Sequence, residues 1–203
     1  MLIKICGITR LEDAQAATEL GAAALGFVFW PKSPRFVDPF KARAIAATLP
    51  PFVTPVGVFV DQPADYVNGV ASLVRLGAVQ LHGSENLEYA KKMIRPVIKA
   101  VGLRAESMNA IDTWPSSVMV LLDVHDPVLR GGTGHTIDWS AAADVGRRRR
   151  IVLAGGLSPD NVARAIADVR PFGIDISSGV ESAPGVKDPS RLAALFKAIN
   201  GTH

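Results

Sequence analysis

The fold class this sequence predicts is α/β, in the form of a single (β/α)8 or TIM barrel, and three observations carry it. Eight short apolar runs rich in strand-forming residues recur along the 203 residues. Their hydrophobicity is near-continuous rather than alternating, as in parallel strands covered on both faces. Segments with helical spacing fill the gaps between them, and a regular strand–helix alternation of that kind builds a parallel sheet. An open doubly wound sheet is the alternative, disfavoured by eight strands, the lack of GxGxxG and the lack of a second domain.

The strands are expected at LIKIC (2–6), ALGFVF (24–29), VTPVGVFV (53–60), AVQL (78–81), PVIKAV (96–101), VMVLLD (118–123), RIVLAG (150–155) and FGIDIS (172–177). Among the helices, LEDAQAATEL ends at Gly21, a residue type that stops helices. DPFKARAIAATL and DPSRLAALFKAI each offer an Asp cap, Asp38 or Asp188, followed by Pro39 or Pro189 at the first helical position. SPDNVARAIADV suggests the same arrangement with Ser158 and Pro159. DQPADYVNGVASLV and SENLEYAKKMI fill two more gaps, and RAESMNAIDTW and DWSAAADV are weaker helix candidates.

Composition sets the limits. Apolar residues form 48% of the chain and charged ones 20%, with 18 Gly and 14 Pro, the profile of a soluble globular protein with many turns. One domain over residues 1–203 is expected, large enough to need no disulfide or metal staple. No apolar stretch suits a signal peptide or a membrane span, and the single cysteine fits a reducing compartment, so a cytoplasmic protein is expected. The net charge of +3 and the lone basic cluster Arg147–Arg150, without interleaved aromatics, argue against nucleic acid. The four histidines, His82, His125, His135 and His203, form no HxH or HxxxH pair, so no metal is expected.

In a barrel, chemistry gathers at the carboxyl ends of the strands. There the sequence places Cys6, Asp61, His82, Asp123, the pair Gly155–Gly156, and Asp175 with Ser177, Ser178 and Gly179. The last two loops carry glycines whose bare amides can approach a phosphate, although each alone also reads as a tight turn. On residue type, Cys6 is more often a small buried hydrophobe, and a strand-end Asp is often a loop cap. Their common position on one mouth adds a second reading, a thiolate that removes a proton and a carboxylic acid that delivers one. His82 reads as a positioning group. Arg35, between the prolines of PKSPR, could meet a carboxylate or sit in a surface turn. The Gly-rich segment 123–139 is expected to cover the mouth.

KICGIT, GFVFWPKSPR, VGVFV, VQLHG, LLD followed by GGTGHTIDW, LAGGLSPDNV and DISSGVESAPGVKD, in this order and spacing, resemble the phosphoribosylanthranilate isomerases of tryptophan biosynthesis, from residue 3 to about 199. The resemblance implies a cofactor-independent Amadori rearrangement of a small phosphorylated substrate, while the Phe, Trp and Pro residues near 29–40 fit a monomer or a homodimer alike. It implies Cys6 as general base, Asp123 as general acid, Arg35 against the anthranilate carboxylate, and Gly155, Gly156, Ser178 and Gly179 around the phosphate. A thiol base near neutral pH would call for a lowered Cys6 pKa. His135 stands where this family commonly has a lysine or another residue.

Overall fold

The computed structural model describes residues 1–102, 111–123 and 139–201. Eight strands close into a parallel barrel in chain order: β1 Leu2–Cys6, β2 Ala24–Val28, β3 Thr54–Phe59, β4 Ala78–Leu81, β5 Val97–Gly102, β6 Met119–Asp123, β7 Ile151–Ala154 and β8 Gly173–Ile176. All eight expected strands form. Closure comes from β1 against β8, with Leu2 opposite Gly173 and Lys4 opposite Asp175.

The helices are α1 Leu11–Glu19, α2 Pro39–Ala46, α3 Ala64–Val74, α4 Leu87–Ala90, α5 Ser140–Arg148, α6 Val162–Val169 and α7 Pro189–Asn200. Asp38 and Asp188 cap α2 and α7 as expected, accepting from the amides of Phe40 and Lys41 and of Ser190 and Arg191. Two expectations need correction. Ser158 does not cap α6: it opens a turn in which its amide donates to the Asn161 side chain, and the helix starts at Val162. SENLEYAKKMI yields only the single turn α4, capped by Asn86, and the chain runs on through turns to Pro96 and β5. Of the weaker helix candidates, DWSAAADV becomes α5, while RAESMNAIDTW lies outside the described residues except for its end, a 3₁₀ turn at Ile111–Thr113.

Side chains alternate across each strand. Ile3, Ile5, Leu25, Phe27, Val79, Leu81, Leu153 and Ile174 face outward into the main core, where they pack on helix residues such as Ala14, Val67, Ala165 and Leu192. The alternate residues face the lumen, and many are small: Ala24, Ala78, Ala100 and Ala154. That economy of volume leaves room for polar side chains in the lumen. Lys4 and Gln80 lie there almost fully buried, with Asp175 opposite Lys4.

A short antiparallel hairpin that the sequence reading missed, β9 Glu181–Ala183 with β10 Val186–Lys187, follows β8 and carries two more buried charges to the mouth. The arginines at 147–150 each have a partner. Arg147 pairs with Asp144 and Arg148 with Asp112, while Arg150 lies over the Phe172 ring. Arg149 donates to the carbonyls of Ile111, Trp114, Pro115 and Val118, tying α5 to the approach of β6. No helix among the described residues is long and apolar enough to cross a membrane.

Candidate active site

Cys6 ends β1 and Asp123 ends β6, so both reach the carboxyl mouth of the barrel. Cys6 is 8% exposed and packs beside Val28, Val58 and the half-buried Trp30. Gly26 of β2 lies directly across from it. A Cβ on Gly26 would come within 2.6 Å of the Cys6 sulfur and 3.1 Å of Lys4 Nζ, so the thiol and the amine share a space that only glycine leaves open. Lys4 Nζ donates to Asp175 Oδ1 at 2.8 Å and lies beside the thiol in the gap that Gly26 leaves.

Burial pushes the Cys6 thiol up, and Asp175 adds to the rise; Lys4 and Lys187 pull it down without reversing it. The lowered pKa expected for a base is therefore not what the barrel gives, because desolvation outweighs the two ammonium groups. Burial pulls Lys4 down, but Asp175 and Cys6 outweigh it and hold the amine above its ordinary range.

Across the mouth, His82 Nε2 stands 3.4 Å from Asp123 Oδ2, and Gln80 Nε2 stands 3.0 Å from His82 Nδ1. His82 and Asp123 are both partly open to solvent, as groups that meet a substrate need to be. Asp61, the other strand-end acid, is turned to the loops instead: it accepts from the amide and hydroxyl of Ser84.

Arg35 is held by a carboxylate of the protein itself. Its Nε and Nη2 donate to Glu181, with Nη2 to Oε2 at 2.7 Å. Glu181 also accepts from Lys187 Nζ at 2.8 Å and from the Gly185 amide. Lys187, fully buried, donates onward to the carbonyls of Cys6 at 2.5 Å and Ser177 at 3.2 Å. Burial raises Glu181, but its hydrogen bonds to Arg35 and Lys187 outweigh burial and leave the carboxyl below the usual range.

The two glycine-bearing loops meet. Gly155 and Gly156 adopt φ of 91° and 64°, a left-handed run that turns their backbone out of β7. Gly179, in the 3₁₀ turn Ser178–Val180, touches the carbonyl of Leu157 so closely that any Cβ would overlap it. The loops after β7 and β8 are thus one surface beside Ser177 and Ser178. Of the expected cover, 123–139, residues 124–138 lie outside the described residues, as do His125, His135 and His203. Among the described residues no group of three or more His, Cys, Asp and Glu could hold a metal ion.

Sequence reasoning brought Cys6, His82, Asp123 and the glycine loops to one mouth. It missed Lys4, Gln80, Gly26, Glu181 and Lys187. Lys4 was open to discovery, since it sits two residues before Cys6 in an apolar strand and therefore on the same face.

A closed (β/α)8 barrel with a thiol, an imidazole and a carboxyl group at its carboxyl mouth belongs to the enzymes of that architecture. The family model for N-(5'-phosphoribosyl)anthranilate (PRA) isomerase matches residues 3–198. An N-(5'-phosphoribosyl)anthranilate isomerase of Geotalea uraniireducens is 48% identical over 201 residues, covering 98% of both chains. The crystal structure of the Thermotoga maritima enzyme superposes with a TM-score of 0.91 at 47% identity, covering 99% of each chain. A further isomerase structure, in complex with reduced 1-(o-carboxyphenylamino)-1-deoxyribulose 5-phosphate, gives a TM-score of 0.87 at 46% identity over 99% of this chain and 100% of that one. The chain belongs to the N-(5'-phosphoribosyl)anthranilate isomerase family.

Proposed function

We propose that the chain converts N-(5'-phosphoribosyl)anthranilate to 1-(2-carboxyphenylamino)-1-deoxyribulose 5-phosphate in tryptophan biosynthesis, using Asp123 as acid and Cys6 as base. The observation that carries the reading is the placement of Cys6 and Asp123 at the ends of β1 and β6, in a chain that matches the family over residues 3–198. Protonated Asp123 delivers its proton to the ribose ring oxygen, which breaks the bond to carbon 1 and leaves a Schiff base. Cys6, as thiolate, removes the proton from carbon 2, and the electron pair moves to give an enolamine. Tautomerisation then yields the ketone. No redox partner is needed, because carbon 1 is reduced as carbon 2 is oxidised.

The phosphate sits against Gly155, Gly156, Ser178 and Gly179, where the backbone of two loops comes together. Ser177 and Asp175 complete the wall on the β8 side, and His82 orients the sugar next to Asp123. The anthranilate carboxylate approaches Arg35 on the side that Glu181 does not occupy. The unit is one catalytic domain, 1–203, working without cofactor in the cytoplasm as a monomer or homodimer.

Anthranilate fluorescence with freshly generated substrate tests this. Wild type should consume the substrate, while Cys6→Ser and Asp123→Asn should each lose turnover by about a hundredfold or more and still bind the reduced product analogue. Variants that keep wild-type turnover would remove Cys6 and Asp123 from their roles, and an inert wild type would remove the reaction itself.

A further inference from the structure

We propose that Lys4 is a positioning residue that supplies the counter-charge for the Cys6 thiolate, with Asp175 fixing the amine beneath the sulfur. The proposal rests on Cys6 being the base of the reaction, and it adds a source for the charge that a buried base requires. Three features of the lumen carry it.

The first is position. Lys4 and Cys6 are two residues apart on β1 and share the lumen face, and Gly26 opposite leaves the gap that both side chains enter. The second is confinement. Lys4 is 2% exposed, Asp175 8% and Cys6 8%, so no bulk water competes for the amine. Lys4 Nζ is held at 2.8 Å from Asp175 Oδ1, directly across the β1–β8 closure, and cannot swing toward solvent.

The third is the balance of charge. The groups around the thiol are Lys4 on β1, Asp175 on β8, Glu181 and Lys187 on the hairpin β9–β10, and Arg35 from the loop after β2. His82 and Asp123 lie across the mouth, and at the start of α1 Arg10 is shared by Asp13 and the exposed Glu12. From β2 and β3 only Gly26, Val28 and Val58 contribute, none of which titrates. Glu181 is shared by Arg35 and Lys187, while Asp175 serves Lys4. Three cations therefore face two carboxylates, and one positive charge stays uncompensated until the thiol ionises. Lys187 Nζ is spent on Glu181 and on two carbonyls, whereas Lys4 Nζ is held by Asp175 alone and shares the gap at Gly26 with the sulfur, so Lys4 is the amine that meets it. Loss of the Cys6 proton neutralises the cluster, and uptake of the substrate proton restores the resting charge.

Cys6 is the only cysteine in the chain, so ultraviolet thiolate absorbance, blanked with Cys6→Ser, titrates this group alone. Lys4→Met should raise the thiol midpoint by about one pH unit or more, leaving about tenfold less thiolate at a given lower pH. Asp175→Asn should move it the other way, because the amine then serves the sulfur alone. Opposite shifts are not expected of two residues that merely hold the barrel together. A thiol midpoint that Lys4→Met leaves unchanged or lowers would overturn the proposal, as would a rise in Asp175→Asn. If Lys4→Met fails to fold, the direction in Asp175→Asn decides. The pH dependence of kcat separates the two readings: opposite thiol shifts that kcat ignores would keep the Lys4–Cys6 coupling and dismiss Cys6 as the base.

Discussion

The close approach at Gly26 makes a prediction at the scale of one atom. A methyl group there would meet the Cys6 sulfur at 2.6 Å and its Cα at 3.1 Å, both parts of the same strand, with Lys4 Nζ behind them. The sulfur has to turn away or β2 has to retreat, and a displacement of that size at a reacting atom costs about a hundredfold in rate. Gly26→Ala should therefore lower kcat strongly while the far-ultraviolet spectrum and product-analogue binding stay near those of wild type; steady-state kinetics with a binding titration checks it. The residue scale is also where sequence was least readable. Cys6 and Asp123 declared themselves as odd polar groups at strand ends. Gly26 looked like any strand glycine, and Lys4 and Lys187 belong to a residue type that is almost never fully buried unless paired. The partner of Lys4, Asp175, lies 171 residues away, a distance that no local pattern spans, and Lys187 meets Glu181 across a hairpin too short to show a pattern.

Elements were more legible, because each rests on signals within ten residues. Continuous apolar runs marked all eight barrel strands, and Asp–Pro pairs marked the starts of α2 and α7. The same logic failed at Ser158–Pro159, where Asn161 uses its side chain to stabilise a preceding turn, donating to the Gly156 carbonyl and accepting from the Ser158 amide. It also failed at β9–β10, too short to show periodicity and placed by buried ion pairs rather than by apolar pattern. The cap at Asp188 allows a quantitative expectation. Its carboxylate accepts from Ser190 N at 2.8 Å and Arg191 N at 3.1 Å, at the start of the helix that covers the barrel closure. Asp188→Ala should cost about 1 kcal/mol, lowering Tm by about 2–4 °C in thermal unfolding. Substrate turnover below the melting range should not change, because the cap lies on the outer ring.

For the whole molecule, the decisive contacts join the two ends of the chain. Lys4 meets Asp175, Arg35 meets Glu181, Thr9 donates to the Gly185 carbonyl, and the Lys187 amide donates to Asp13. A closed barrel has no edge strands, and here its last seam is sewn largely by charge at the same mouth where chemistry is expected. Stability and activity thus share one network, which gives the seam a definite pH dependence. Burial opposes ionisation of Glu181, yet Arg35 and Lys187 win and depress its folded-state pKa below the unfolded value. A depressed carboxyl contributes stability that is fully present above the unfolded pKa, about 4.3, and is lost as pH falls through the folded value. Urea unfolding of wild type should therefore hold this contribution at neutral pH and lose it progressively below about pH 4. Glu181→Gln should be destabilised by about 3 kcal/mol at neutral pH, since it leaves Lys187 buried without its counter-ion. Its stability should fall less steeply than that of wild type on acidification, because the group that titrates has been removed. Equal acid slopes for the two proteins would place the pH dependence elsewhere than in the seam.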